Sequence, residues 1–181
     1  MNLLFFLQII YLILPAAIAN MMPVFIKNNL KNLAYPIDFN LKIKGKRIFG
    51  SHKTFRGLIF GIMGSIFVVF IQYLLQKNNI FLDLNLVNYN ILNPIKFGFL
   101  IGFFVLVFDA ISSFIKRRMN FKPGEAFFIL DQINGGMGFA FLIYIYSRSW
   151  LLFLWIIIIW LIGHLIIKYL GYLLGMYKEK I

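Results

Sequence analysis

Three stretches of the chain, residues 2–26, 57–76 and 149–167, run for about twenty residues each without a single Asp, Glu, Lys or Arg. About 20 apolar residues in a helix match the hydrocarbon thickness of a bilayer, where every backbone N–H and C=O must find its partner within the chain. Each run is therefore expected to be a membrane-spanning helix. Two further runs, about 95–115 and 126–147, are long enough to span but carry one carboxylate each, Asp109 and Asp131. The fold expected is an all-α integral membrane protein: a bundle of about five transmembrane helices over spans 2–26, 57–76, 95–115, 126–147 and 149–170, in a single polytopic domain of residues 1–181.

The first span contains Ala17-Ile18-Ala19, which looks like a signal-peptidase site. A signal peptide carries a positive n-region and a short apolar core. Here no charge precedes Lys27 and the apolar run passes through to Ile26, so the segment is expected to be a retained helix. Pro15 and Pro23 are expected to kink or end it, because proline removes a backbone donor.

A net charge of +12 would suit nucleic acid, but the basic residues sit in short loops between apolar runs, which excludes a nucleic-acid partner and points to anionic membrane lipids. Eight Lys or Arg lie in residues 27–56, four more are Lys116, Arg117, Arg118 and Lys122, and three are Lys168, Lys178 and Lys180. The opposite side holds only Lys77, Lys96 and Arg148, with Asp83 and an Asn-rich loop near 78–93. Cytoplasmic loops collect Lys and Arg, so the N-terminus is expected outside and the C-terminus in the cytoplasm, in the cell (inner) membrane. With no cysteine, disulfides, thiol catalysis and cysteine-ligated metals are excluded. A second copy of the chain, forming a homodimer, is left open as a partner.

Gly57, Gly61 and Gly64 share one face of the second span and Gly135 and Gly138 lie on the fourth, as expected of close helix packing. Trp150, Trp155 and Trp160 suit interface anchoring and lipid contact, and His164 suits a hydrogen-bonded or interfacial histidine with no partner at metal spacing.

Ionisable groups inside a membrane are costly, so Asp109 and Asp131 must pair, bind a metal or face water. Asp109, Ser113 and Lys116 fall at i, i+4 and i+7, placing a carboxylate, a hydroxyl and a cation on one helical stripe that ends at the cytoplasmic boundary. Asp131 lies early in the fourth span beside Gln132 and Asn134, and the short connection puts both carboxylates at similar depth. A purely structural Asp paired with Lys116, Arg117 or Arg118 is the alternative. Residues 50–57 read Gly-Ser-His-Lys-Thr-Phe-Arg-Gly, and Ser51, His52, Lys53, Thr54 and Arg56 offer hydroxyls, an imidazole and two cations suited to phosphate. Carboxylates for a divalent cation beside cations for phosphate are the parts of phosphoryl or nucleotidyl transfer, with the site at the cytoplasmic face.

The stretch Asp109-Ala-Ile-Ser-Ser113-Phe-Ile-Lys116-Arg117-Arg118, then Lys122-Pro123-Gly124 and Asp131-Gln132, resembles the CDP-archaeol synthase family, relatives of the CDP-diacylglycerol synthases. Upstream, Asn20-x-x-Pro23, Pro36-Ile-Asp38, Lys46-Arg47, Gly50 and His52-Lys53-Thr54-Phe55-Arg56-Gly57 extend the likeness. The resemblance implies an enzyme moving CMP from CTP to a lipid phosphate, diether or diacyl, with Mg²⁺ and release of pyrophosphate. It implies Asp109, Asp131, Lys116 and Arg117 as catalytic groups; Asp109, Asp131 and Asn134 at the metal; and Ser51, His52, Lys53, Thr54, Arg56, Ser113, Arg118 and Lys122 on the substrates. Two positions depart from the pattern: Asn134 replaces the second Asp of the pair, removing a negative charge from the implied metal site, and Phe108 stands where many members have Gly. A lipid phosphate monoester, with a second pKa near 6, needs no general base at neutral pH. The site has only to position and neutralise.

The rival expectations are a non-catalytic membrane protein, such as a small transporter or assembly factor, and an inactive homologue that binds lipid phosphate. A conduit would need polar residues across the full bilayer, and the exterior halves of the spans read as almost wholly apolar. The Asp-Gly-x-x-Ala-Arg motif of CDP-alcohol phosphatidyltransferases is absent.

Overall fold

The computed structural model describes residues 2–122, 125 and 127–173. Pro123, Gly124, Lys178 and Lys180, used in the sequence reading, lie outside these residues. The chain forms α1 (Leu3–Phe25), a two-stranded hairpin of β1 (Lys42–Ile43) and β2 (Lys46–Arg47), α2 (Phe55–Lys77), α3 (Pro94–Arg118), α4 (Phe128–Ser147) and α5 (Trp150–Leu173). Consecutive helices pack on one another, and α1 also lies against α3, α4 and α5, so the layout is a closed bundle. It is an integral membrane protein: α1, α2, α3 and residues 150–170 of α5 are each long and apolar enough to span. The twenty-residue α4 falls outside that set. Its first turns carry Asp131, Gln132 and Asn134, which are buried or half-buried.

Local chemistry sets the helix ends. Asn2, Thr54 and Asn93 cap α1, α2 and α3 by accepting the amides of Phe5, Gly57 and Lys96 at 3.2, 3.2 and 3.0 Å. Lys116, Arg117 and Arg118 fill the last turn of α3, where the helix dipole favours cations. Arg148, with φ +56°, ends α4 in the left-handed region, and Ser149 Oγ accepts the Leu152 amide at 3.2 Å to start α5.

Two prolines inside α1 shape its contact with α2. Pro15 cannot donate to the Tyr11 carbonyl, and the buried Gln72 supplies the missing donor through Nε2 at 2.7 Å. Pro23 likewise frees the Ala19 carbonyl, which faces Gly61, where an added Cβ would stand 2.8 Å away. Gln72 is a polar exception in the almost wholly apolar half remote from the basic loops: a proline-broken helix needs a buried amide there, and Gln72 Oε1 in turn accepts the Tyr89 hydroxyl at 3.0 Å.

The glycines pack as their spacing suggests. Gly57 and Gly64 lie against Pro23 and Met22 of α1, and a Cβ on Gly138 would meet the Phe104 carbonyl oxygen at 2.4 Å. Gly138→Ala should therefore lower stability by about 1–3 kcal/mol through overpacking. Thermal unfolding in detergent should show the loss, with little change for Gly163→Ala, which has no neighbour within 4 Å. Trp160 corrects the lipid-contact reading. Gly135 and Gly136 leave a slot that its indole fills, with Nε1 donating to the Gln132 carbonyl at 3.1 Å, so it is buried within the bundle. Trp150 remains exposed, and Trp155 packs edge-on against Phe6. His164 is partly buried, and its Nδ1 has no hydrogen-bond partner among the described residues.

Candidate active site

The wall of the site is built by the loop between α1 and α2, and Asp38 holds that loop together. Its carboxylate is 3% exposed and accepts the Phe49 and Gly50 amides at 3.2 and 3.1 Å, the Asn40 amide at 3.1 Å and the Arg47 guanidinium at 2.5 Å. Burial pushes its pKa up, but the Arg47 contact and the three amides outweigh this and hold it at about 2. The stabilisation is therefore fully present above the ordinary carboxylate pKa of about 3.8 and is lost as pH falls from there through about 2. Asp38→Asn should remove roughly 2 kcal/mol of that stability at neutral pH and flatten the acid limb, measurable as unfolding midpoint against pH. No role was assigned to Asp38 from sequence beyond its place in the Pro36-Ile-Asp38 motif, because a lone loop carboxylate reads as solvated.

The segment beyond Asp38 returns as a short antiparallel bridge, Ile37 N–H donating to Lys53 O and Phe55 N–H to Tyr35 O, both at 2.9 Å. Gly50, at φ +103°, turns the chain beside the Arg117 side chain; this backbone region favours glycine. The bridge delivers Ser51, His52, Lys53 and Thr54 to the wall of a cavity of about 470 Å³, where Arg56, Asp109, Asp131 and Asn134 also lie. Asn20, Pro23 and Lys27 complete that wall from the end of α1. Lys27 and Asn20 were not singled out from sequence as site residues, since a lysine after a span reads as a topology signal. Asn20 and Pro23, one turn apart on α1, with Lys27 two residues past the helix end, were the usable clue.

Each carboxylate of the cavity is held by a lysine. Lys53 Nζ donates to Asp109 Oδ2, while Asn134 Nδ2 donates to Asp109 Oδ1 at 2.9 Å. Lys116 Nζ reaches both oxygens of Asp131 at 2.6 and 2.8 Å, and the Phe127 amide donates to Asp131 Oδ2 at 2.8 Å. Both carboxylates remain partly reachable, with side chains 22% and 30% exposed. His52 has its pKa lowered by burial, then by Lys27, Lys53, Arg117 and Lys116, so it is neutral at neutral pH and has one N–H to donate. Thr54 Oγ1 accepts the Gly57 amide, which leaves its hydroxyl proton for a ligand. Arg56 gives one terminal nitrogen to the Asn29 carbonyl at 2.5 Å, and its buried Nε has no partner among the described residues.

Five expected site residues stand elsewhere. Lys116 is 8% exposed, bonded to Asp131 and to the Glu125 carbonyl at 3.1 Å, and does not line the cavity. Arg117 is 7% exposed and donates to the Phe121 carbonyl at 2.5 Å. Arg118 does not line the cavity: its terminal nitrogens grip the Ile43, Lys46 and Arg47 carbonyls at 2.8, 3.2 and 2.8 Å, clamping the hairpin to the end of α3. Ser113 bonds back to the Asp109 carbonyl at 3.1 Å within its own helix. Lys122 is exposed outside the cavity, its amide donating to Glu125 at 2.7 Å. Asp109, Ser113 and Lys116 do share one stripe of α3, but at the end of that helix backbone carbonyls take part or all of the hydrogen bonding of Lys116, Arg117 and Arg118.

No group of three His, Cys, Asp or Glu side chains that could hold a metal occurs among the described residues. The carboxylates that line the cavity are Asp109 and Asp131, and oxygen donors of this kind suit a hard divalent cation. Asn134 presents its amide nitrogen to Asp109 and its Oδ1 to the Gly135 amide at 2.5 Å, so it acts here as a donor, whereas the expected role was an oxygen ligand.

The family model describing CarS-like CDP-archaeol synthases matches residues 1–180. A CDP-archaeol synthase of Methanocaldococcus jannaschii is 32% identical over 168 residues, covering 90% of this chain and 92% of the relative. That of Archaeoglobus fulgidus is 32% identical over 81% of this chain and 79% of its own. That of Pyrococcus furiosus is 36% identical over 70% and 68%. A solved structure, described as an intramembrane enzyme for archaeal membrane lipid biosynthesis, superposes with a TM-score of 0.68 at 24% identity, covering 88% of this chain and 91% of that one. At that identity it establishes a shared fold.

Proposed function

The chain belongs to the CDP-archaeol synthase family, and from that premise we propose how its cavity transfers CMP from CTP to a lipid phosphate. The protein is a membrane CTP-dependent cytidylyltransferase. The observation that carries the mechanism is the meeting of Asp109 from α3 and Asp131 from α4 with Lys27, Lys53 and Arg56 in one cavity at the end of the bundle. Triphosphate needs cations, and a divalent ion needs carboxylates. A cavity with both is suited to hold the complex.

An oxygen of the lipid phosphate attacks the α-phosphorus of CTP, a new P–O–P link forms, the bond to the β-phosphate breaks and pyrophosphate leaves. The nucleophile is already ionised at neutral pH, so no residue has to remove a proton. Lys27, Lys53 and Arg56 hold phosphate oxygens and neutralise the charge that develops on the leaving pyrophosphate. His52 and the Thr54 hydroxyl donate further hydrogen bonds. Asp109 and Asp131 would hold Mg²⁺, which supplies charge neutralisation on the triphosphate when bound. Lys116 acts as a positioning residue by fixing Asp131, and Lys53 exchanges its carboxylate partner for phosphate as ligand arrives. The excess of Lys and Arg in the loops at this end supports a cytoplasmic active site, with the N-terminus outside, in the cell membrane.

Purified protein given labelled CTP and two lipid phosphates, one ether-linked and one ester-linked, should yield a CDP-lipid and pyrophosphate, with the ether-linked lipid preferred. No product from either lipid would overturn the reading. Lys53→Ala should cost about 1.5–3 kcal/mol in kcat/KM, whereas Lys168→Ala, which removes a lysine of α5 outside the cavity, should cost far less. Equal small losses would mean that the loop sets topology only.

A further inference from the structure

We propose that the segment from Leu30 to Ile43 lies in the headgroup layer of the bilayer and binds anionic lipid, forming an interfacial anchor for the loop that builds the active-site wall. The segment exposes Leu30, Leu33, Tyr35, Phe39, Leu41 and Ile43, with Phe39 and Leu41 each 58% accessible. Clustered apolar side chains on one short loop mark a surface that meets something other than water. Leu30 and Phe39 sit at φ +46° and +49°, a backbone region that costs energy for side chains of their size, and both still point outward.

Two observations select the occupant. The Phe39 ring lies 5.8 Å from that of Tyr35 and 5.4 Å from that of Phe55. Phe55 opens the spanning helix α2, so this aromatic row stands where a helix enters the bilayer, the level that aromatic side chains favour. Interleaved with the row are the exposed Lys31, Lys42 and Lys44, none of which takes part in an ion pair among the described residues. Asp38, the loop's sole carboxylate, is buried and occupied by Arg47, so it leaves their charge unneutralised. Apolar and aromatic side chains alternating with uncompensated lysines are complementary to an anionic lipid interface. The consequence reaches the cavity. Tyr35 and Ile37 are hydrogen-bonded to the strand that presents Lys53 and Thr54, so lipid contact steadies those two residues.

The chain has no cysteine, so single cysteines at Phe39 and Leu41 can carry an environment-sensitive dye in the full-length protein, reconstituted in vesicles of phosphatidylcholine with or without phosphatidylglycerol. A label at Phe67→Cys, 65% exposed in the middle of α2, gives the deep-membrane reference, and the free dye gives the aqueous one. Labels at both loop positions should be quenched by shallow nitroxide lipid and protected from aqueous iodide. Lys42→Gln and Lys44→Gln should each reduce the inserted fraction relative to the withdrawn one about five-fold in the anionic vesicles. Iodide quenching equal to the free dye at both positions would overturn the proposal. Protection from both quenchers, which would reveal a second copy or another protein on this surface, would overturn it too, as would identical quenching in neutral and anionic vesicles. The readout needs no turnover, so its failure is distinguishable from failure of the proposed reaction.

Discussion

Asp109→Asn should lower turnover about a thousandfold or more while leaving the fold intact. The substitution keeps the shape of the side chain and an oxygen able to accept from Asn134 or Lys53. It removes the charge that a divalent cation and a triphosphate complex require. Asp131→Asn should abolish turnover equally but also destabilise the protein by about 3–5 kcal/mol, because Lys116 is 8% exposed and would be left with a buried, uncompensated charge. Replacing Lys116 by Met in the same chain should restore much of the stability and none of the activity. Rates and unfolding midpoints measured together thus separate chemistry from structure. Asp109→Asn retaining more than a tenth of the wild-type rate would sink the assignment of this carboxylate.

The split between these two aspartates shows what could be read without a structure. That α3 and α4 bring their carboxylates together at one end was legible, since a charge within an apolar run is costly and must find a partner or water. The helices were legible for the same reason: their apolar runs match α1, α2, α3 and α5 within a few residues at each end. Partner choice was not legible. Lys116, Arg117 and Arg118 are equivalent as letters, yet one meets a carboxylate, one meets the Phe121 carbonyl and one clamps the hairpin. Those outcomes depend on how the chain turns after α3 and on where the α1–α2 loop folds back, and neither leaves a periodic signal. Trp160 escaped for a related reason, because its slot is made by Gly135 and Gly136 on a different helix. Gln72 could have been found by asking which side chain supplies the donor that Pro15 lacks.

Asn134→Asp tests the departure from the family pattern against this geometry. Asn134 donates to Asp109 Oδ1 at 2.9 Å, a contact that a carboxylate cannot make. Two ionised oxygens at such a distance repel by about 4 kcal/mol or more at an effective dielectric near 20. Without a divalent cation the variant should therefore unfold at a lower temperature than wild type. Mg²⁺ held between the carboxylates would turn that repulsion into attraction, so the unfolding midpoint of Asn134→Asp should rise with Mg²⁺ far more steeply than that of wild type. The Mg²⁺ concentration giving half-maximal activity should fall, because a third carboxylate tightens the site more than it alters the chemistry. In wild type the Asn134 amide donates to one oxygen of Asp109 and the Lys53 ammonium to the other. Identical responses to Mg²⁺ in both proteins would show that these side chains share no cation. Wild-type protein that makes no CDP-lipid from any lipid phosphate, with product appearing only in Asn134→Asp, would instead identify a chain whose catalytic metal site was lost at this one residue.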